Sequence, residues 1–184
     1  TLDESVPIEI EYIYFMSRAL LIIWRIWFYM LAAIPVILLF FPLAFMLLLP
    51  NGYRYLFWVA RNIWAPFVLW GSGFWINRLN EFPAEGRSYM LIANHSSYLD
   101  IMVMLRLRKT PFVFVGKKEL VKIPIFGYLY KHAAIMVDRS SSKSRYEVYK
   151  QAQEVIRKGY SVCIFPEKEY LDETILLNPF KKGA

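Results

Sequence analysis

The stretch Ser88-Tyr89-Met90-Leu91-Ile92-Ala93-Asn94-His95-Ser96-Ser97-Tyr98-Leu99-Asp100 decides how this chain folds. Its first six residues have the apolar character of a buried strand, and Tyr98 to Leu107 carries apolar residues along one side of a helix. His95 therefore falls in a strand-to-helix turn, with Asp100 in or near the first turn of the helix. From there Asp100 can accept a hydrogen bond from one imidazole nitrogen and leave the other as a proton acceptor. A capping histidine beside an ordinary helix-start aspartate fits the same residues, so the surrounding chain has to decide.

Toward the C-terminus the pattern repeats. Strands are expected near 88–93, 112–116, 133–138 and 161–165, with helices near 98–108, 119–131 and 145–158. The last helix is the best marked. Ser144-Arg145-Tyr146-Glu147 reads as a capping box, Tyr149, Ala152, Val155 and Ile156 form an apolar stripe, and Gly159 follows as a stop. Strands alternating with helices predict an α/β layered domain, here expected over 81–184 around a mixed sheet.

Toward the N-terminus the character changes. Residues 26–53 carry no charge, and Ile26 to Leu49 as a straight helix extends about 36 Å at about 1.5 Å per residue, enough for a hydrocarbon core of about 30 Å. Pro35 and Pro42 interrupt this run, Arg61 and Pro66 break a second one from Tyr55 to Ile76, and Pro50-Asn51-Gly52 marks a turn between the two. Residues 1–80 are thus expected to form a membrane-associated helical hairpin, either spanning the bilayer or dipping into one leaflet. Two buried helices of a soluble core are the bland alternative. The segment is no signal peptide, because its apolar run is too long and follows an acidic stretch.

Charge divides at the same place. Residues 1–77 carry four Lys/Arg against four Asp/Glu, so the net charge of +7 lies entirely in residues 78–184. A basic domain beside an apolar segment suits an anionic membrane surface or a phosphate-bearing substrate. Nucleic acid is not expected as a partner, since the basic residues are spread over several loops without a recognition motif. The lone Cys163 sits in an apolar run and reads as core packing, and two histidines with one cysteine make a conventional zinc site unexpected. The chain starts at Thr1 and ends without a terminating element, so it reads as a fragment truncated at its C-terminus.

Three further stretches fall near strand ends, where open α/β sheets gather their ligand-contacting loops. Gly116-Lys117-Lys118-Glu119-Leu120, followed by Ile123-Pro124-Ile125-Phe126-Gly127, offers two lysines for an anionic headgroup or a phosphate, or simply a solvated strand end. In Ile135-Met136-Val137-Asp138-Arg139, Arg139 suits a two-point grip on phosphate, or an ion pair with Asp138. In Val162-Cys163-Ile164-Phe165-Pro166-Glu167, the Glu167 carboxylate can bond a substrate hydroxyl or hold a basic side chain.

Taken in order, these stretches resemble the 1-acylglycerol-3-phosphate acyltransferase (lysophosphatidic acid acyltransferase) family over roughly residues 60–184. That family shows an Asn-His motif with aspartate five residues after the histidine, a Lys-x-Glu-Leu…Pro-x-Phe-Gly stretch, a strand ending in Asp-Arg, and Phe-Pro-Glu-Gly-Thr-Arg-Ser. The counterparts are Asn94, His95 and Asp100; Lys117 or Lys118 with Glu119-Leu120 and Pro124-Ile125-Phe126-Gly127; Asp138-Arg139; and Phe165-Pro166-Glu167. The fourth motif departs after Glu167, where Lys168-Glu169-Tyr170-Leu171 replaces Gly-Thr-Arg-Ser and the family's second phosphate-contacting arginine has no counterpart.

The resemblance implies transfer of a fatty acyl group from a thioester, acyl-CoA or acyl carrier protein, to a lysophospholipid hydroxyl, giving phosphatidic acid when lysophosphatidic acid is the acceptor. A neutral alcohol needs a base as it attacks, which makes His95 the expected catalytic base and Asp100 its orienting partner. Asn94, Lys117, Lys118, Arg139 and Glu167 are the expected substrate contacts, with the thioester a co-substrate and no cofactor or metal implied. The leading reading is lysophosphatidate acylation at the cytosolic face of a membrane. An aminolipid or other lysolipid acceptor is a second, motivated by the altered fourth motif, and a non-catalytic membrane subunit that keeps the fold is a third.

Overall fold

The structure is a computed structural model that describes residues 8–77, 79, 86–95, 97–138 and 141–166. The N-terminal region is helical. α1 (Ile8–Leu38) runs through Pro35 and breaks one turn later at Leu39, before α2 (Phe40–Leu48). Pro42 lies in the first turn of α2, where the missing N–H has no intrahelical partner to lose, so it is accommodated without a second break.

The chain then reverses at Pro50-Asn51-Gly52. Asn51 adopts φ +59°, and a Cβ on Gly52 would lie 2.2 Å from the Met46 carbonyl oxygen, so only glycine fits this turn. α3 (Gly52–Val59), a π-helical turn (Ala60–Trp64) and α4 (Ala65–Gly71) follow as one continuous rod. Pro66 sits where the register returns from π to α. Arg61, which interrupts the second apolar run, pins the π turn to the rest of the molecule: its Nε donates to the Arg108 carbonyl at 2.7 Å, and its own carbonyl accepts from Arg106 Nη1 at 3.2 Å.

This rod folds back along α1. The indoles of Trp27 and Trp24 donate to the carbonyls of Gly71 and Ser72 at 2.8 and 3.3 Å, capping the end of α4, and Trp64 donates to the Ala32 carbonyl at 2.9 Å. The segment Met16–Leu38 is long and apolar enough to cross a membrane, and only 11% of its most apolar window is buried. That exposure argues against two buried helices of a soluble core.

The remaining chain builds the α/β unit: β1 (Met90–Ile92), α5 (Leu99–Leu107), β2 (Phe112–Lys117), a 3₁₀ turn (Lys118–Lys122), α6 (Phe126–Ala133), β3 (Ala134–Val137), α7 (Ser142–Arg157) and β4 (Ser161–Ile164). The sheet order is β1-β4-β2-β3, with pairs such as Ile92↔Ile164, Phe114↔Cys163 and Gly116↔Met136. All pairings are parallel, which corrects the expected mixed sheet: among the described residues every strand is joined to the next through helical material, and no hairpin supplies an antiparallel neighbour. Alternate residues of the central strands face opposite layers. Phe112 and Cys163 pack with Leu91, Val68, Leu69 and the apolar face of α5, whereas Val113 and Val162 pack with Ala152, Val148 and Val155 of α7.

Two local expectations also change. The helix expected over 119–131 is a 3₁₀ turn followed by α6, because the chain makes a three-residue turn between them: the Phe126 amide donates to the Pro124 carbonyl at 2.6 Å and Ile125 takes φ +66°. α7 is capped by Ser141, whose hydroxyl accepts from the Ser144 amide at 3.2 Å. The Ser144 hydroxyl, expected to be the cap, accepts from the Asp138 amide at 2.9 Å instead.

Candidate active site

Because the sheet is parallel, the loops after β1, β2, β3 and β4 all emerge at one edge. His95 lies there, between β1 and α5, and Asp100 is the second residue of α5. Nδ1 of His95 donates to Oδ2 of Asp100 at 3.0 Å, and the Ser97 amide donates to the same oxygen at 2.8 Å. The turn between them is fixed by its own bonds: the Leu99 amide donates to Ser97 Oγ at 3.2 Å and the Asp100 amide to the Ser97 carbonyl at 3.1 Å.

A carboxylate accepts, so the contact places the imidazole proton on Nδ1 and makes Nε2 the basic nitrogen. The two side chains are 23% and 26% exposed, open enough for a substrate to reach and covered enough to limit water. A second constraint comes from β4. The Phe165 ring stacks on the imidazole, centroids 4.2 Å apart and planes 19° from parallel. This contact arises because β1 pairs with β4, so that residues just beyond Ile92 and Ile164 come together. Strand order is silent in a sequence, and Phe165 was therefore absent from the expected site; its one sequence signal was its place beside Pro166-Glu167.

The other expected residues divide into two groups. Asn94 is exposed next to His95, and Lys117 and Lys118 are exposed at the C-terminal end of β2, on the same edge of the sheet. Lys117 is held through its backbone, whose carbonyl accepts from Tyr130 Oη at 3.2 Å. Arg139 and Glu167 lie outside the described residues. Tyr98, exposed and at the start of α5, meets Tyr29 of α1 edge to face at 6.1 Å, so the N-terminal helix reaches the rim of the site. A separate cavity of about 220 Å³, lined by Pro66, Leu69, Trp70, Phe74, Trp75, Ile76 and Arg106, lies near the other end of α5 and contains neither His95 nor Asp100.

An open parallel sheet that presents a histidine and aspartate pair at its C-terminal edge defines a site suited to proton transfer. The Acyltransferase family model matches residues 76–184, and the chain belongs to that family. It is similar to the 1-acyl-sn-glycerol-3-phosphate acyltransferase of Cocos nucifera, 36% identical over 132 residues that make up 71% of this chain and 38% of the relative. Against the chloroplastic 1-acyl-sn-glycerol-3-phosphate acyltransferase of Arabidopsis thaliana, identity is 33% over 110 residues, covering 59% of this chain and 30% of the relative. A bacterial relative of the same name, from Helicobacter pylori, is 30% identical over 114 residues, 61% of this chain and 47% of its own length. The chain thus spans about a third of the length of the first curated relatives it matches. No solved structure matches it.

Proposed function

We propose that this chain carries out acyl transfer from a fatty acyl thioester, on coenzyme A or acyl carrier protein, to the free hydroxyl of lysophosphatidic acid at a membrane surface. The observation that carries the reading is the 3.0 Å bond between His95 Nδ1 and Asp100 Oδ2 at the edge of a parallel sheet, in a chain of the Acyltransferase family. The names of its relatives supply the acceptor class.

In this mechanism the acceptor oxygen attacks the thioester carbonyl carbon as His95 Nε2 takes its proton. Asp100 holds the tautomer and stabilises the imidazolium. The tetrahedral intermediate collapses, the C–S bond breaks, and the departing thiolate recovers the proton, leaving an ester and a free thiol. No acyl-enzyme is needed. Asn94, Lys117 and Lys118, exposed on the same edge, are the proposed contacts for headgroup or donor phosphates, and Arg139 and Glu167 the proposed acceptor contacts.

The N-terminal helices would hold the site at the bilayer. α1 meets the start of α5 through Tyr29 and Tyr98 at 6.1 Å and α2 meets α6 through Phe40 and Tyr128 at 5.8 Å, so the catalytic unit runs alongside the apolar helices instead of hanging from one end. A helical pair lying in one leaflet fits this arrangement better than one crossing the bilayer, which would draw the α/β unit into hydrocarbon, and the cytoplasmic face is the one proposed for it.

The test is transfer of label from a radiolabelled acyl thioester to a panel of lysolipids by detergent-purified protein. Product on lysophosphatidate is expected. Product only on an aminolipid or another lysolipid would move the acceptor assignment and tie it to Lys168-Glu169-Tyr170-Leu171, and no product on any acceptor would sink the reading.

A further inference from the structure

Phe165 is not accounted for by packing alone. Its ring is half-buried, lies parallel to the His95 imidazole at 4.2 Å, and has Phe114 behind it at 6.0 Å and 16°. Phe114 in turn meets Phe112 edge to face at 5.0 Å, and Phe112 meets Phe57 of α3 at 5.2 Å. A continuous aromatic row therefore runs from the helical rod, through β2, to the imidazole face. Its last member is anchored twice. Phe114 and Cys163 are register partners, which sets β4 beside β2, and buried Pro166 restricts the backbone of the residue before it.

The bond to Asp100 cannot by itself fix the imidazole. A hydrogen bond tolerates a broad range of angles, and the torsion of an imidazole about its attachment is soft, so the ring could tilt about the Nδ1 contact. A parallel ring pressed on one face removes that tilt. We infer that Phe165 is a positioning residue for the proposed transfer, fixing the plane of His95 so that Nε2 points at the acceptor hydroxyl while Asp100 fixes the tautomer. The inference rests on the acyl-transfer reading above, because it assigns Phe165 a part in aiming the base.

The experiment compares wild type, Phe165→Leu and Phe165→Tyr as detergent-purified full chains, by acyl transfer to lysophosphatidate and by NMR of histidine ring protons. The chain has two histidines, so His132→Gln identifies the His95 signals. Phe165→Leu should lower turnover roughly threefold to tenfold with the acceptor KM unchanged, the size expected when one aromatic contact is lost in the transition state. Phe165→Tyr should restore it. The His95 ring protons, shielded by the stacked ring in wild type, should move downfield in Phe165→Leu and stay in place in Phe165→Tyr. Should Phe165→Leu not fold, Phe165→Met carries the same comparison.

Wild-type turnover in the aliphatic variant, or equal losses in the leucine and tyrosine variants, would overturn the inference, as would His95 signals that ignore all the substitutions. If wild type shows no His95-dependent transfer, it is the acyl-transfer reading that fails. The ring-proton shifts then decide the geometric claim by themselves.

Discussion

His95 is held by three neighbours of different kinds: a carboxylate bonded to its Nδ1, a phenyl ring on its face, and a turn closed by Ser97. The first was legible from the sequence, because a histidine and an aspartate five apart across a strand-to-helix turn meet whenever the helix begins at the intervening residues. The second was not, because it needs the position of another strand. Cys163, one residue from the end of β4, shows how strongly the interior around this site excludes water. It is fully buried, and burial pushes its thiol from about 9 up to about 12. Below about pH 9 the thiol is protonated in both folded and unfolded chains; between about 9 and about 12 only the unfolded chain ionises it, so the native state loses stability as pH rises through that window. Near neutral pH, native protein should therefore resist maleimide labelling and react rapidly once denatured. Fast labelling of the folded chain would show that the central strand is open.

At the scale of elements, strand positions were readable from period and composition, because each depends on nearby residues, whereas the α7 stripe was readable only in part: Ala152 and Val155 face the sheet with Val148, while Tyr149 and Ile156 are exposed. What was hidden depends on competition between neighbours. Ser141 displaces Ser144 as the α7 cap because the Ser144 hydroxyl is engaged by the Asp138 amide. The break between the 3₁₀ turn and α6 is set by the tight turn at Ile125, where an isoleucine holds a φ that side chains rarely adopt. Gly127 completes that turn: a Cβ there would lie 1.9 Å from the Val121 carbonyl oxygen, a backbone atom that cannot swing aside. Gly127→Ala should destabilise the protein by about 1–3 kcal/mol, the usual range for forced overpacking, seen as a lowered Tm. An unchanged Tm would show that the turn yields to admit the methyl group.

For the whole molecule, the division of charge and the uncharged run at 26–53 were legible, whereas the way the helical rod clasps the α/β unit was not, because it rests on single contacts such as Tyr53 to the Phe112 carbonyl and Arg61 to the Arg108 carbonyl. α1 shows a broad apolar surface to its surroundings, with Leu20 61%, Ile23 63% and Leu38 73% exposed. An attachment of that kind is apolar, so flotation with phosphatidylcholine vesicles should persist in high salt; release by salt would make the contact chiefly electrostatic. Attachment and chemistry meet in acyl transfer to lysophosphatidate in vesicles, measured for wild type beside His95→Ala. His95→Ala should lose roughly 10²–10⁴-fold in turnover with an unchanged Tm, as expected when a positioned base is removed. Near-normal turnover in that variant would contradict His95 as the base.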